Sequence, residues 1–310
     1  MNTTVAEASI VGTMEDVRPL SWSRTVAREM VHRDSVAEVL LTDVRRSPDG
    51  GFEAAASWSR SHPTFPRDGA DLHSPLMIVE TLRQLGIYIP LRYFDVAPTA
   101  HLLITDLSFV TDPSAEPRAV SGATGVTCAV RASEVRRAAE DGAVTGLRLD
   151  VSFSARGTVF ARAGGGARVM DGERYDAVRT GRQRFAAPGS ATGPARPDFR
   201  GLGVTGAHDV VLGLDGGTLL VDPADPRHPF FFDHATDHVP GIILLEAARQ
   251  AAAVESRGAL LRPTGGRLEA ARFIEYSPPA RIICVPHHGI CVFRFLQDGE
   301  QKAFGVLRYR

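Results

Sequence analysis

The sequence predicts an α+β fold built from two copies of one unit, each an antiparallel sheet wrapped around a very apolar helix. A repeat is the first reason: HPTF and ETLRQ recur later as HPFF and EAARQ, and 166 positions separate Glu80 from Glu246. The second reason is the pattern around each repeat, where short alternating strands flank one long apolar stretch. A helix and a sheet of this kind bury their apolar surfaces against each other.

Each unit begins with the pattern of a β-hairpin. The apolar runs 39–41 and 210–212 precede the turn sequences SPDGG and GLDGG, and a second run then leads to the His-Pro motif. Glycine-rich turns between apolar runs are typical of hairpins. His62 and His228, each followed by proline, are therefore assigned a structural role in the turn.

A helix follows the hairpin in each unit, and more strands follow the helix. Ser74 and Pro75 suit the cap and first position of the first helix, while Pro240 and Gly241 open the second. Residues 147–153 alternate between apolar and polar side chains, which indicates a half-buried strand. The chain ends in three predicted strands, PARIICVP, GICVFRFLQDG and QKAFGVLRYR.

The repeat and the local composition divide the chain into two domains. The first is predicted to span residues 25–185 and the second residues 199–310. Between them, residues 186–198 are rich in alanine, glycine and proline, a composition typical of a linker. A chain of 310 residues is long enough for two ordinary domains with a sizeable core.

The composition excludes several classes of function. A net charge of −1 gives no electrostatic basis for binding nucleic acid or an anionic membrane. The first twenty residues lack the basic and apolar regions of a signal peptide, and no run of about 18 apolar residues could span a membrane. Three cysteines without a CxxC pair fit a reduced protein. We therefore expect a cytoplasmic protein.

Both predicted helices carry a polar stripe on an otherwise apolar surface. Positions three and four apart share one face of a helix, so the polar groups of each helix lie together. A helix that is apolar all round is buried, and a buried charge is costly unless it is paired. The stripe is therefore either a structural Glu–Arg pair or part of a polar site. Its members are Glu80, Arg83 and Gln84 in the first helix, and Glu246, Arg249 and Gln250 in the second.

A cluster of ionisable residues precedes the second helix. The segment FFDHATDHVPG places two histidines and two aspartates within six positions of one another, just before Gly241. A helix N-terminus offers free N–H groups that bind an anion or polarise a carbonyl. The cluster lacks a complete metal-ligand set at a known spacing, so we predict no metal and no cofactor. Its members are Asp233, His234, Asp237 and His238.

Three strings in this chain resemble the A-factor biosynthesis hotdog family, the γ-butyrolactone signal synthases of actinobacteria. They are VHRDSVAEVLLTD at 31–43, HPTF with HSPLMIVETLRQLGI, and HPFFFDHATDHVPGIILLEAARQAA. The resemblance implies a double hotdog, as a pseudo-dimeric monomer or a homodimer. It also implies an acyltransferase that moves a β-ketoacyl group from acyl carrier protein to dihydroxyacetone phosphate. The ester formed would be the precursor of a butyrolactone or furan signal.

Within this reading, roles can be assigned to the polar residues. Glu246 would accept or orient the proton of the acceptor hydroxyl, with Glu80 as its counterpart of less certain role. N–H groups near Gly241 would polarise the thioester carbonyl. The arginines Arg249 and Arg83 would hold the phosphate. The remaining candidates shape or relay protons at the entrance: catalytic His238, and the substrate-binding residues Asp237, His234, Gln84 and Gln250.

Two other classes of function remain open. A hotdog thioesterase or dehydratase would use the same acyl pocket, and a non-catalytic module would only bind an acyl ligand. Hotdog dehydratases carry their catalytic histidine about eight positions before the Pro-Gly helix start, where this chain has Phe232. A small shift would bring His234 to that place. No Gly-x-Ser-x-Gly elbow is present, which disfavours a serine acyl-enzyme.

Overall fold

The computed structural model describes residues 18–62, 71–119, 122–180 and 194–310. The first unit contains a hairpin, a long helix, four strands and a short helix. In order these are β1 (Leu41–Arg46), β2 (Phe52–Ser59), α1 (Leu76–Tyr93), β3 (His101–Thr111), β4 (Ala123–Arg137), β5 (Val144–Ala155), β6 (Thr158–Met170) and α2 (Gly172–Arg179).

The second unit repeats this order without the short helix. Its elements are β7 (Leu212–Asp215), β8 (Thr218–Val221), α3 (Gly241–Glu255), β9 (Gly265–Ala270), β10 (Arg281–His287), β11 (Ile290–Gln297) and β12 (Glu300–Arg308). The prediction of three strands at the end of the chain is confirmed by β10, β11 and β12. The sequence analysis missed α2, which is short, mostly polar and capped by Asp171.

Within the described residues, all strands join one antiparallel sheet with the same strand order in each half. The first half runs β1-β2-β4-β5-β6-β3 and the second runs β7-β8-β10-β11-β12-β9. The halves meet where β3 pairs with β9, from Asp106 opposite Glu269 to Val110 opposite Gly265. The predicted α+β double hotdog is confirmed by this repeat. The predicted linker 186–198 lies mostly outside the described residues, so the domain bounds stay a prediction.

The sheet wraps around α1 and α3 because both helices are apolar on almost every side. Met77, Leu85 and Ile89 of α1 are fully enclosed, as are Ile243 and Ala251 of α3. Burying a large aliphatic side chain contributes about 1.5–3 kcal/mol relative to leaving it exposed. Packing therefore fixes each helix in its half of the sheet.

The helix starts and the alternating strand agree with the sequence pattern. The backbone N–H of Leu76 donates to Ser74 Oγ (3.3 Å) at the start of α1, and α3 begins directly after Pro240. In β5, Leu147, Leu149 and Phe153 are buried, as alternation predicts. No helix in the described part of the chain is long and apolar enough to cross a bilayer.

Candidate active site

A cavity of about 1350 Å³ lies between α1, the segment before α3 and the inner face of the sheet. One face of α1 lines it over more than two turns, at positions spaced three or four apart. From α3, only the first turn reaches it. The cavity therefore takes its walls from both units. The α1 residues are Val79, Leu82, Arg83, Gly86 and Ile87, and the α3 residues are Gly241, Ile242 and Leu244.

The polar stripe of α1 forms an ion cluster at the wall of this cavity. Arg83 donates from Nε to Oε2 of Glu80 (2.8 Å) and from Nη2 to Oε1 (2.9 Å). Arg33, from the segment before β1, adds a second guanidinium with Nη2 2.9 Å from Oε1 of the same carboxylate. Burial alone would raise the pKa of Glu80, but the two arginines outweigh it and lower that pKa to about 2.

The stripe of α3 has the same geometry but lies away from the cavity. Arg249 donates from Nε to Oε2 of Glu246 (2.8 Å) and from Nη2 to Oε1 (2.6 Å). Its Nη1 donates to the carbonyls of Leu202 (2.7 Å) and Leu261 (3.0 Å). Neither side chain lines the cavity. The roles predicted for Glu246 as base and Arg249 as phosphate ligand therefore receive no support from the geometry.

The glutamines of both stripes hold the helices to the hairpins. Gln84 donates to Glu80 Oε1 (2.7 Å) and to the carbonyl of Glu38 (2.8 Å). Gln250 donates to Glu246 Oε1 (2.8 Å) and to the carbonyl of Asp209 (2.8 Å). Each glutamine oxygen accepts a backbone N–H of the adjoining strand segment. These amides are fully buried and engaged on both sides, which indicates a structural role.

Arg83 and Arg249 differ in how many guanidinium nitrogens donate to protein acceptors. Arg83 Nη2 also donates to the carbonyl of Val31 (3.1 Å), the counterpart of Leu202, yet no hydrogen bond within the described residues engages its Nη1. The Arg83 side chain is 18% exposed and faces the cavity. Arg249, in contrast, uses all three nitrogens on protein acceptors. Of these two equivalent arginines, Arg83 therefore leaves a guanidinium nitrogen open to the cavity and Arg249 does not.

The segment before α3 adds a histidine–aspartate pair to the lining of the same cavity. His238 Nδ1 and Asp237 Oδ1 are 2.7 Å apart. Asp237 also accepts from the Tyr175 hydroxyl (2.6 Å) and from Arg179 Nε (2.9 Å). Burial opposes ionisation, but the hydrogen bonds from His238 and Tyr175 hold the pKa of Asp237 well below its usual range. A charged aspartate at Nδ1 orients the imidazole and leaves Nε2 for chemistry.

Tyr175 and Arg179 belong to α2, which fixes this aspartate. The Arg179 guanidinium bridges to Glu275 (2.7 Å) and to the carbonyl of Asp237 (2.7 Å). Tyr175 stacks on His101 with ring centroids 3.6 Å apart. The sequence analysis missed Tyr175, Arg179 and Arg33 as site residues, because no repeat or motif marked them.

Two further histidines lie beside Arg83 at the cavity. His32 and His234 each have one buried ring nitrogen without a hydrogen-bond partner, Nε2 and Nδ1 respectively. Burial first, and then the nearby charge of Arg83, lowers the pKa of both rings, that of His32 to about 4. Both imidazoles are therefore neutral at neutral pH. His234, a member of the cluster seen in the sequence, makes no hydrogen bond with the Asp237–His238 pair within the described residues.

The N-terminus of α3 opens into the same space. The first helical bonds are made by the N–H groups of Ile243 (3.0 Å) and Leu244 (3.2 Å) to the carbonyl of Pro240, and no side chain caps the helix. The N–H groups of Gly241 and Ile242 make no backbone hydrogen bond within the described residues. They are therefore available to a carbonyl or anion in the cavity, as predicted for Gly241.

The His-Pro histidines have a structural geometry. His62 Nε2 lies 3.0 Å from Glu38 Oε2, and His228 Nε2 lies 3.0 Å from Asp209 Oδ1. His208 lies beside His228 and Asp209, a grouping that brings three ligand-type atoms within 4.8 Å. His228 Nδ1 already accepts two backbone N–H groups, so Nε2 carries the proton that Asp209 accepts. This protonated nitrogen has no lone pair for a metal.

Comparison with known proteins agrees with this arrangement. The family model described as the A-factor biosynthesis hotdog domain matches residues 14–171 and 215–262. The chain belongs to this family. A curated family member from Streptomyces virginiae, named 2-oxo-3-(phosphooxy)propyl 3-oxoalkanoate synthase, is 33% identical over 265 residues, covering 84% of this chain and 87% of that protein. A Streptomyces griseus protein with the same name is 32% identical over 291 residues, covering 85% and 86%.

A solved structure supports the fold of this A-factor family member. The crystal structure of an acyl-ACP thioesterase from Bacteroides thetaiotaomicron superposes with a TM-score of 0.50, covering 83% of this chain and 98% of that chain. Its sequence identity is 11%, so the similarity concerns the fold alone. The reaction of the family member has to be argued from its own cavity.

Proposed function

We propose that this protein transfers a β-ketoacyl group from acyl carrier protein to the hydroxyl of dihydroxyacetone phosphate. Its relatives are named as synthases of an ester between a 3-oxoalkanoic acid and a 2-oxo-3-(phosphooxy)propyl group. That product requires an acyl donor and a phosphorylated hydroxyl acceptor. The observation that carries the proposal is that one cavity is lined by Arg83, whose Nη1 no hydrogen bond within the described residues engages, and by the Asp237–His238 pair.

The apolar face of α1 provides the place for the acyl chain. Val79, Leu82 and Ile87 line the cavity together with Leu147 and Leu149 of β5. An alkyl chain is held by apolar area removed from water, at roughly 25 cal/mol per Å². The thioester end of such a chain would meet the N–H groups of Gly241 and Ile242 at the N-terminus of α3.

The acceptor needs both a cation and a base. Within the described residues no hydrogen bond engages Arg83 Nη1, whose two N–H groups can donate to the oxygens of a phosphate. His238 Nε2 would take the proton of the acceptor hydroxyl, while Asp237 stabilises the imidazolium that forms. The hydroxyl oxygen would attack the thioester carbon, the C–S bond would break, and the proton held by His238 would pass to the departing thiolate.

In this scheme, backbone N–H groups polarise the thioester carbonyl. The developing oxyanion would be held by the free N–H groups at the start of α3, whose helix dipole is positive there. Losing one such donor in other acyl-transfer enzymes costs roughly 10²–10³ in turnover. No step uses Glu246, Arg249 or Gln250, whose side chains support the fold.

The test is a product analysis with both substrates. A β-ketoacyl thioester of acyl carrier protein is incubated with the protein, with and without dihydroxyacetone phosphate, and the products are separated by mass spectrometry. We expect the phosphorylated ester as the main product and slow thiol release without the acceptor, because a transferase must keep water from the thioester. Thiol release at an unchanged rate without acceptor, giving the free β-keto acid, would replace this proposal with the thioesterase reading.

A further inference from the structure

His32 has a backbone conformation that a side chain disfavours. Its φ of 48° and ψ of 60° lie in the left-handed region, which L residues with a Cβ adopt at a cost in free energy. The repeat identifies its counterpart, because Val31 and Leu202 offer equivalent carbonyls to Arg83 and Arg249. The residue after Leu202 is Gly203, with a φ of 63°. The second unit thus uses glycine where the first unit keeps a histidine.

The left-handed backbone of His32 directs its imidazole toward Arg83. A Cβ built on Gly203 would lie 3.6 Å from Arg249 Nη1, the nitrogen that donates to Leu202, so the equivalent side chain at His32 lies beside the guanidinium of Arg83, which donates to Val31. His32 lines the cavity, and its Nε2 is buried without a partner. This nitrogen is therefore available to a ligand that enters the cavity.

The groups that face this ring come from four parts of the fold. Around it, α1 contributes Arg83 with its partner Glu80, the segment before α3 contributes His234 and Asp233, and β3 contributes His101. The segment of His32 itself adds Arg33, bound to Glu80, and Asp34. Asp233 accepts the backbone N–H groups of Asp34 (2.7 Å) and Ser35 (2.9 Å). These surroundings keep the ring of His32 neutral at neutral pH.

We infer that His32 is a phosphate ligand of the acceptor and takes up a proton as the phosphate binds. This inference rests on the proposed function. A phosphate monoester carries a charge of roughly −1.5 to −2 at neutral pH. Placed on Arg83 Nη1, it would lie near the ring of His32, and its negative charge would favour the protonated imidazole. In that form Nε2 donates a charge-assisted hydrogen bond to the phosphate.

The test is calorimetric binding of dihydroxyacetone phosphate at pH 7 in two buffers with different ionisation enthalpies. We expect the wild-type protein to take up about one proton per phosphate bound, as linkage requires when a pKa rises from below to above the ambient pH. His32→Asn keeps a residue that tolerates the left-handed region but cannot titrate. It should lose the uptake and bind at least ~10-fold more weakly, the scale of one charge-assisted hydrogen bond.

Two further variants separate His32 from its neighbours. His32→Gly copies Gly203, so it should fold at least as well as wild type, judged by thermal unfolding, and should also lose the uptake. His234→Asn removes the other histidine beside Arg83 and should keep the uptake. Loss of uptake in His234→Asn but not in His32→Asn would overturn the inference.

The outcome for His32 is distinguishable from that of the proposed function. Ester formation without proton uptake by wild type would leave the transferase standing and remove His32 from the phosphate site. Absence of both ester formation and binding of dihydroxyacetone phosphate would overturn both. Uptake that is lost in both His32 variants supports the inference.

Discussion

Arg83 and Arg249 bind the glutamate one turn before them in the same way, yet only Arg83 leaves its Nη1 open to the cavity. The difference lies in what faces the third nitrogen. Arg249 Nη1 donates to two carbonyls, those of Leu202 and Leu261, whereas no hydrogen bond within the described residues engages Arg83 Nη1, and Arg83 lines the cavity together with His32. Duplicated residues with the same local sequence thus have different environments, and the following predictions depend on that difference.

The first prediction compares lysine at both arginine positions. Arg83→Lys keeps the positive charge but loses the separate nitrogen, Nη1, that arginine can offer to the phosphate while its other nitrogens bind Glu80. We expect kcat/KM for dihydroxyacetone phosphate to fall by roughly 10–100-fold, the scale of one charge-assisted hydrogen bond. Unphosphorylated dihydroxyacetone should be much less affected. Arg249→Lys is the matched control and should lower the melting temperature without changing the ratio of the two acceptors. Equal losses on both acceptors in Arg83→Lys would place the phosphate elsewhere.

The second prediction concerns the Asp237–His238 pair. His238→Gln removes the base, and we expect kcat to fall by at least ~100-fold, the usual range for a general base. Asp237→Asn should reduce kcat as well, because the imidazole loses its orienting charge. Binding of the acyl thioester, measured by calorimetry, should be retained in both variants. Full turnover in His238→Gln would leave the hydroxyl proton to another group.

The third prediction tests the acyl channel along α1. A Cβ built on Gly86 meets nothing within 4 Å, and this position faces the cavity. Gly86→Leu should therefore fill the channel, and should raise KM most for the longest chain in a series of β-ketoacyl pantetheine thioesters. Gly86→Ala is the control, since it adds one methyl group and favours the helix by about 1 kcal/mol. A uniform loss over all chain lengths would mean that the acyl group lies elsewhere.

The fourth prediction is a dependence of stability on pH that arises from Glu80. Its pKa is lowered to about 2 in the folded protein, below the value of 4.5 for an unperturbed glutamate. The carboxylate therefore contributes stability above pH 4.5, and that contribution is lost as pH falls toward 2. In Glu80→Gln, Arg33 and Arg83 lose the buried carboxylate that neutralises them, so we expect a loss of about 3–5 kcal/mol at pH 7. The free energy of unfolding, measured with denaturant between pH 7 and 3, should also change less with pH in the variant than in the wild type.

The fifth prediction decides between two roles for Glu246. The sequence pattern suggested a base, whereas the geometry encloses this carboxylate between Arg249 and Gln250. We therefore expect Glu246→Gln to lower the melting temperature while turnover per folded molecule stays within a few-fold of wild type. A loss of ~100-fold with an unchanged melting temperature would restore the catalytic role.

Much of the fold followed from the sequence because it depends on local patterns. The apolar helices, the hairpins and the strand 147–153 are all periodic, and the repeat predicts that the two halves share one design. Which of the two equivalent arginines would face the cavity could not be predicted. Arg83 and Arg249 stand in the same motif, and what separates them is which carbonyls and side chains distant segments bring opposite Nη1. His32 and Arg33 come from about fifty residues away, where no local pattern marks them.

The segment before each long helix shows the same limit. His73 is the counterpart of His238, and its Nε2 bonds Thr124 Oγ1 (2.8 Å). The residue before His73 is Leu72, where the second unit has Asp237. Similar histidines therefore acquire different partners, and only the one with an adjacent carboxylate is oriented for proton transfer.

The cavity shared between α1 and the start of α3 has a consequence for how such a protein can arise. Two identical chains in a symmetric pair must contribute identical residues, so improving one site changes the other in the same way. Joining the copies in one chain removes that constraint. In the proposed reaction, one copy binds the phosphate, with Arg83 and His32, and the other copy moves the proton, with Asp237 and His238. Covalent fusion thus permits a division of labour that self-association of one half does not.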